Sequence, residues 1–194
     1  MIEIKLPVSE EEIRKLKVGD EVKISGTIMT ARDMAHKHMV EAAVDEELAN
    51  VLNGSMIYHC GPVVKKERGE WRFVAAGPTT SMREEPYQAA VIEKYGVRGV
   101  IGKGGMGEKT LAGLKESGAV YLHAIGGLAV LLAESVVKVR KVFKLEEFGT
   151  PEAMWVIEVK DFPAVVTMDS SGKSLHNEIR KMSEESREEI LKSL

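Results

Sequence analysis

Residues 21–29 (EVKISGTIM) follow the Val18-Gly19-Asp20 turn with β-branched side chains in rough alternation, and that period of two predicts a strand. Residues 30–50 lose the alternation and fill with Ala, Met, Glu and Lys, which predicts a helix starting near Thr30 or Ala31 and running toward Asn50. Two short apolar runs come next, residues 56–60 (MIYHC) and 71–76 (WRFVAA), halted by Gly61-Pro62 and Gly77-Pro78. Both read as strands ending in turns, because proline cannot donate to a ladder and glycine permits unusual backbone angles.

From residue 71 the rhythm becomes strand, glycine loop, helix. Pro86 suits the first turn of a helix running through about Tyr95, and residues 97–101 (VRGVI) read as a buried strand before Gly102-Lys103-Gly104-Gly105-Met106-Gly107. A helix through Lys115, a strand at 119–124, the pair Gly126-Gly127 and a helix over 128–137 follow. Such alternation favours parallel pairing and an α/β fold. Strands are expected at 154–159 and 164–168, then a turn at Asp169-Ser170-Ser171-Gly172. The tail, residues 174–194, reads as a charged helix keeping Leu175, Ile179, Met182, Ile190 and Leu191 roughly on one face. One domain over 1–194, with that tail as an extension, is the expectation at this length.

Composition narrows the function classes. With 27 Lys+Arg against 30 Asp+Glu the formal charge is −3, which argues against a dedicated nucleic-acid binder, since phosphate neutralisation needs a basic excess. Residues 1–20 hold no apolar core of signal-peptide length. The apolar stretch at 125–137 is interrupted by Gly126, Gly127 and Glu134 and is too short to span a bilayer, so a soluble cytoplasmic protein is expected. The single cysteine, Cys60, forbids an intrachain disulfide and cannot alone ligate zinc or an iron–sulfur cluster. None of the five histidines forms a His-x-x-x-His pair with an accompanying acid, so no zinc site is expected.

Gly102-x-Gly104-x-x-Gly107 after a strand imitates a dinucleotide loop, but the next strand ends at His123 and Ala124 with no carboxylate for a ribose. A phosphate loop fails as well, because Glu108 rather than lysine follows Gly107. A ligand-free glycine turn fits, and so does an anion site in which Lys103 stands beside amides at a helix N-terminus. Gly77-Pro78-Thr79-Thr80-Ser81-Met82-Arg83 repeats that setting one unit earlier. Its hydroxyls and guanidinium suit a carboxylate, although a Thr or Ser N-cap with Glu84 and Glu85 in an acidic first turn also fits. Arg32 lies just after the first predicted strand, where a surface pairing with Asp33 or a later helix acid is the simple alternative. Arg32, Arg83 and Lys103 each follow a strand, where α/β folds place ligands, so together they point to a small polyanion such as a dicarboxylate.

Thr30-Ala31-Arg32-Asp33-x-Ala35-His36-Lys37, His59-Cys60-Gly61-Pro62, Gly77-Pro78-Thr79-Thr80-Ser81-x-Arg83, Gly102-Lys103-Gly104-Gly105-Met106 and Asp161-Phe162-Pro163-Ala164 occur in this order. The set resembles the β subunit, or C-terminal domain, of class I iron–sulfur fumarases and L-tartrate dehydratases. Lys173 stands after the late turn glycine, where that family often has Asn. The resemblance implies a swivelling β/β/α domain with a mixed sheet and helices. It also implies a hydro-lyase of two polypeptides, expected as two of each, in which the α subunit carries a 4Fe-4S cluster on three cysteines. This chain binds no metal in that scheme. The resemblance assigns the substrate carboxylates to Arg32, Arg83 and Lys103, together with Gly77, Pro78, Thr80 and Gly104. It makes Thr79 the candidate base for the proton beside a carboxylate. Fumarate/malate is the first expected substrate pair, with tartrate dehydration and a non-catalytic carboxylate-binding module as alternatives.

Overall fold

The computed structural model describes residues 1–193, so Leu194, the last residue of the expected tail, lies outside them. In chain order the elements are β1 (Ile2–Lys5), α1 (Glu10–Ile13), β2 (Glu21–Thr30), α2 (Asp33–Glu41), α3 (Glu46–Leu52) and β3 (Met56–Tyr58). A hairpin, β4 (Val63–Glu67) and β5 (Glu70–Ala75), leads to a 3-10 turn at Ser81–Glu84 and then α4 (Gln88–Tyr95). Next come β6 (Gly99–Gly102), α5 (Glu108–Ser117), β7 (Val120–His123), α6 (Ala129–Glu134) and β8 (Val136–Phe143). The chain closes with α7 (Leu145–Phe148), β9 (Met154–Met168) and α8 (Leu175–Lys192).

Seven strands form a mixed sheet in the order β1-β2-β3-β6-β7-β9-β8. The first five run parallel to their neighbours, and β9 runs antiparallel to β7, β8 and β2. Pairing of β9 with β2 turns the sheet back on itself. Inner strands alternate strictly between two cores: Met56 and Tyr58 face one side, Ile57 the other, and Trp155 and Ile157 alternate with Met154 and Val156. Helices α2 to α5 cover one face through Met39, Leu52, Val91 and Leu114. The β4–β5 hairpin and α6 cover the other through Trp71, Phe73 and Leu132. Burial on both faces explains why β3, β6 and β7 are nearly continuous apolar runs. The layers are hairpin, sheet and helices, a mixed α/β arrangement as expected.

Several elements differ from the sequence expectation for local reasons. The expected helix over 30–50 is two helices. Asp45 accepts from the Leu48 amide at 3.0 Å and starts α3, while the Lys94 ammonium donates to the carbonyls of Met39 at 2.8 Å and Ala42 at 2.7 Å, closing α2. The helix expected to reach Val137 stops at Glu134, because Val136 and Val137 belong to β8. The two late strands are one. Asp161, at φ 53°, bends β9 where it passes from β8 to β7, and its amide is held by Ser25 Oγ at 3.0 Å. Charged β4, mostly exposed, and β8, half-exposed, and the short β1 are additions to the expected set.

Opposite that bend, β2 carries its own irregularity at Gly26, where φ is +127°. A Cβ there would meet Leu6 Cβ and the Leu6 carbonyl, both at 2.8 Å. Gly26→Ala therefore combines backbone strain with a clash against main chain, a cost of about 2 kcal/mol, or a fall in Tm of roughly 4–8 °C. A thermal melt checks this, and an unchanged Tm would contradict the paired-bulge account of how β9 changes partner.

Candidate functional site

The carboxyl ends of β2, β3 and β6 lie side by side in the parallel part of the sheet, and one segment crosses them. Residues 77–83 leave the hairpin layer and are stitched to the sheet at each step. Pro78 bridges Cys60, and Thr80 bridges Lys103. Thr79 donates twice to the His59 carbonyl, from its amide at 2.7 Å and its hydroxyl at 3.0 Å. The Ser81 amide then donates to the Lys103 carbonyl at 3.1 Å, and the His59 amide to Ile101 at 2.8 Å. The hairpin strand β5 thereby delivers its glycine–proline turn onto the ends of β3 and β6.

Arg32 joins this edge from β2. It occupies the N-cap position of α2 in extended backbone, and its guanidinium pairs with Glu152 at 3.3 Å, both side chains mostly buried. A Cβ on Gly61 would lie 2.6 Å from Arg32 Nη1, so the glycine after Cys60 is what admits the guanidinium. Arg83 pairs with Asp33 in the first turn of α2. Lys103, by contrast, takes part in no ion pair among the described residues. The structure thus brings Arg32, Thr79, Thr80, Arg83 and Lys103 to one edge, with Gly77 and Pro78 leading into it and Gly104 exposed beside Lys103. A groove of ≈ 670 Å³ adjoins it, lined by Met82, Gly104, Met106 and the exposed side of α8.

Three of the sequence alternatives are decided here. The helix N-terminus after the glycine loop is already filled: Glu85 accepts from the Gly107 amide at 2.7 Å, the Lys109 amide at 3.0 Å and the Thr110 hydroxyl at 2.7 Å. That corrects the reading of α5 as an anion site, since its amides are satisfied by a carboxylate of this chain. The threonine cap is likewise not formed: Thr80 stands at the N-cap of the 3-10 turn without a side-chain capping hydrogen bond, Glu84 lies within the turn and Glu85 closes it. Arg32, for its part, is not a surface arginine paired with Asp33. Asp33 is taken by Arg83.

Behind the edge lies a buried polar network that sequence reasoning missed. His36 Nδ1 is 2.9 Å from the Arg32 carbonyl, and the Nε2 atoms of His36 and His59 both reach the Gln88 amide, at 3.0 and 2.7 Å. His59 Nδ1 meets Ser81 Oγ at 2.9 Å, which also accepts from the Tyr121 hydroxyl at 2.9 Å. Glu84 is buried beside it, its Oε2 unpartnered and 3.7 Å from His36 Nδ1. Burial, then the adjoining Asp33 carboxyl and its charge, push Glu84 up to about 8. Burial also acts to raise Asp33, but a hydrogen bond from Glu84 and the charges of Arg83 and Arg32 outweigh it and hold Asp33 below its ordinary value. The pair therefore keeps one proton, on Glu84. No local pattern announces these contacts, which join residues dozens of positions apart.

Cys60 is buried, and burial pushes its thiol up to about 12, with Arg32 opposing. Among the described residues no group of three His, Cys, Asp or Glu side chains could hold a metal ion. These residues do not fit a cluster of the chain's own.

The profile of the fumarase C-terminus family matches residues 1–179. The chain belongs to the fumarase C-terminus family. A protein of Geobacillus stearothermophilus provisionally named fumarate hydratase class I is 56% identical over 186 residues, a match covering 94% of this chain and 35% of that protein. A provisionally named L(+)-tartrate dehydratase subunit beta of Methanocaldococcus jannaschii is 42% identical, with 95% of each chain covered. The L(+)-tartrate dehydratase subunit beta of Escherichia coli (strain K12) is 38% identical, with 97% of this chain and 92% of that one covered. Within the fumarase C-terminus family, then, this chain spans about a third of the first relative and nearly all of the other two. The family match ends inside α8, so all of the edge just described lies within it.

Glu84 sets a pH dependence. It holds its proton in the fold up to about pH 8 but loses it near its ordinary value of 4.5 when unfolded, so the folded state binds more protons in between. Stability accordingly falls as pH rises through that window. Glu84→Gln, which can still donate to Asp33, removes this slope. Melts of both proteins from pH 5 to pH 8 should show the variant gaining steadily on the parent; a constant gap would mean that Glu84 ionises normally.

Proposed function

We propose that this chain is the β subunit of a two-polypeptide iron–sulfur hydro-lyase, a fumarate hydratase interconverting fumarate and L-malate. The observation that supports the reading is the crossing segment, which bridges Cys60 through Pro78 and Lys103 through Thr80 within a fumarase C-terminus domain, with Arg32 on the adjoining loop and Arg83 at the segment's own end. The cluster that the class I resemblance calls for belongs, on this reading, to an α subunit, with two copies of each chain. No step at the cluster is assigned to these residues.

What this chain supplies is a carboxylate clamp. Arg32 and Arg83 are already shared with Glu152 and Asp33, so Lys103 brings the uncompensated charge to a docking dianion. Planar guanidinium groups orient a carboxylate through paired donors, while the lysine acts as a point charge. During proton removal from the carbon beside a carboxylate, negative charge moves onto that carboxylate. Donors fixed beforehand stabilise this state more than the ground state, which is what accelerates the step. Thr79 is the candidate to take the proton: its alkoxide, which neighbouring cations favour, accepts the proton from carbon and becomes the hydroxyl that donates to the His59 carbonyl.

Dehydration of L(+)-tartrate is the second reading. It is favoured by the near full-length match to two chains named as tartrate dehydratase β subunits. Both substrates present two carboxylates and differ by a hydroxyl, so the same clamp serves either.

Anaerobic reconstitution with a cluster-bearing partner, offering malate, fumarate and both tartrate enantiomers, tests the proposal by the change in fumarate absorbance. Thr79→Ala is expected to lower kcat about a hundredfold or more with KM little changed. Arg83→Met and Lys103→Met are expected to raise KM about tenfold or more with the fold intact. Tight fumarate binding by the chain alone, without complex formation, would instead make it a carboxylate-binding module, and unchanged Michaelis constants in the variants would refute the clamp.

A further inference from the structure

The buried network leaves one question of chemistry open, the placement of its hydrogens. His36 Nδ1 faces the Arg32 carbonyl oxygen, which only accepts, so Nδ1 carries a hydrogen. In a neutral imidazole the other nitrogen is then a bare acceptor. Gln88 Oε1 stands at that nitrogen, 3.0 Å away, and also 2.7 Å from His59 Nε2, while Gln88 Nε2 has no partner. An oxygen facing two imidazole nitrogens demands a hydrogen on each. His36 would then be doubly protonated, a fully buried cation whose nearby carboxyl group, Glu84, meets it at 3.7 Å rather than in a hydrogen bond.

A half-turn of the amide resolves this. The two ends of a carboxamide exchange places, and the hydrogen-bond partners decide which is which. We infer that Gln88 presents its NH2 to both rings, one hydrogen to each Nε2, holding His36 and His59 as neutral Nδ1–H tautomers. His59 Nδ1–H then donates to Ser81 Oγ at 2.9 Å, and His36 Nδ1–H to Arg32. The titratable and charged groups around the rings are Glu84, Asp33 and Arg32, beside the hydroxyl groups of Ser81 and Tyr121. Burial lowers both imidazoles, His59 further because His36 stands beside it, which agrees with neutral rings.

Gln88 is thereby a positioning residue. One amide sets the spacing between the two rings, whose centroids are 5.0 Å apart. One ring is tied to the Arg32 backbone, and the other belongs to the residue whose carbonyl holds Thr79. The clamp and the proton-transfer hydroxyl are registered against each other through a side chain that touches neither substrate nor solvent. This role rests on the hydro-lyase reading; the tautomers do not.

Long-range 15N–1H spectra of the full chain, labelled at histidine, test the tautomers directly. Both rings should show protonated Nδ1 and bare Nε2, unchanged from pH 6 to pH 8. A hydrogen on either Nε2, or titration of either ring in that range, would overturn the inference. In the assembled enzyme, Gln88→Glu keeps the size but offers acceptors only, and Gln88→Leu offers nothing. Each should lower kcat about tenfold or more with KM within about threefold, the cost of a slightly misplaced reacting group. Gln88→Glu should also put a hydrogen on each Nε2, with His36 keeping its Nδ1 hydrogen on the Arg32 carbonyl. A kcat equal to that of the parent in a folded variant would refute the positioning role. If a variant fails to fold, the spectrum of the parent chain still decides. An assembly of the parent without hydro-lyase activity would remove the functional reading, and the tautomer spectrum alone would then uphold or overturn the orientation of Gln88.

Discussion

Two hydrogen bonds from Thr79 to the carbonyl of His59 fasten the hairpin layer to the end of the parallel sheet. Everything at the candidate site depends on that attachment. β3 and β6 end at glycine-rich loops with backbone groups to satisfy, and the crossing segment satisfies them through Pro78, Thr79, Thr80 and Ser81. Residues that lie far apart in the chain thus become neighbours without any of them reaching across open space.

The same economy governs charge. Three cations around one binding edge repel one another, and two are compensated by carboxylates from other elements, Glu152 and Asp33. Asp33 stays ionised beside Arg83 because Glu84 keeps the proton that a second carboxyl group there must hold. Glu85, the next residue, fills the N-terminus of α5 and so directs an incoming anion away from the helix and toward the side-chain cations. A buried acid and a capping acid, adjacent in sequence, do opposite electrostatic work.

Much of this is legible from pattern. β2 announces itself by alternation, β3, β5, β6 and β7 as apolar runs closed by glycine or proline, and the loops after β2, β5 and β6 carry Arg32, Arg83 and Lys103. The strands that escape notice, β1, β4 and β8, are short or bear charges on an exposed side, so they lack the apolar signal of an inner strand. The break between α2 and α3 is hidden because Lys94, far along the chain, closes the first helix. At the site, Arg32, Thr79, Arg83 and Lys103 can be named from local motifs. Gln88 cannot, and although His59, Glu84 and Glu85 lie in or beside those motifs, their roles exist only through contacts between elements.

The central claim is that this edge, and no other part of the chain, grips a dicarboxylate. A structure of the assembled enzyme with malate bound under anaerobic conditions tests it most directly. Malate carboxylate oxygens are expected within ~3 Å of donors on Arg32, Arg83 and Lys103, with Thr79 Oγ1 against the carbon that bears the transferred proton. Malate held by the partner subunit alone, with these side chains still paired as they are here, would contradict it.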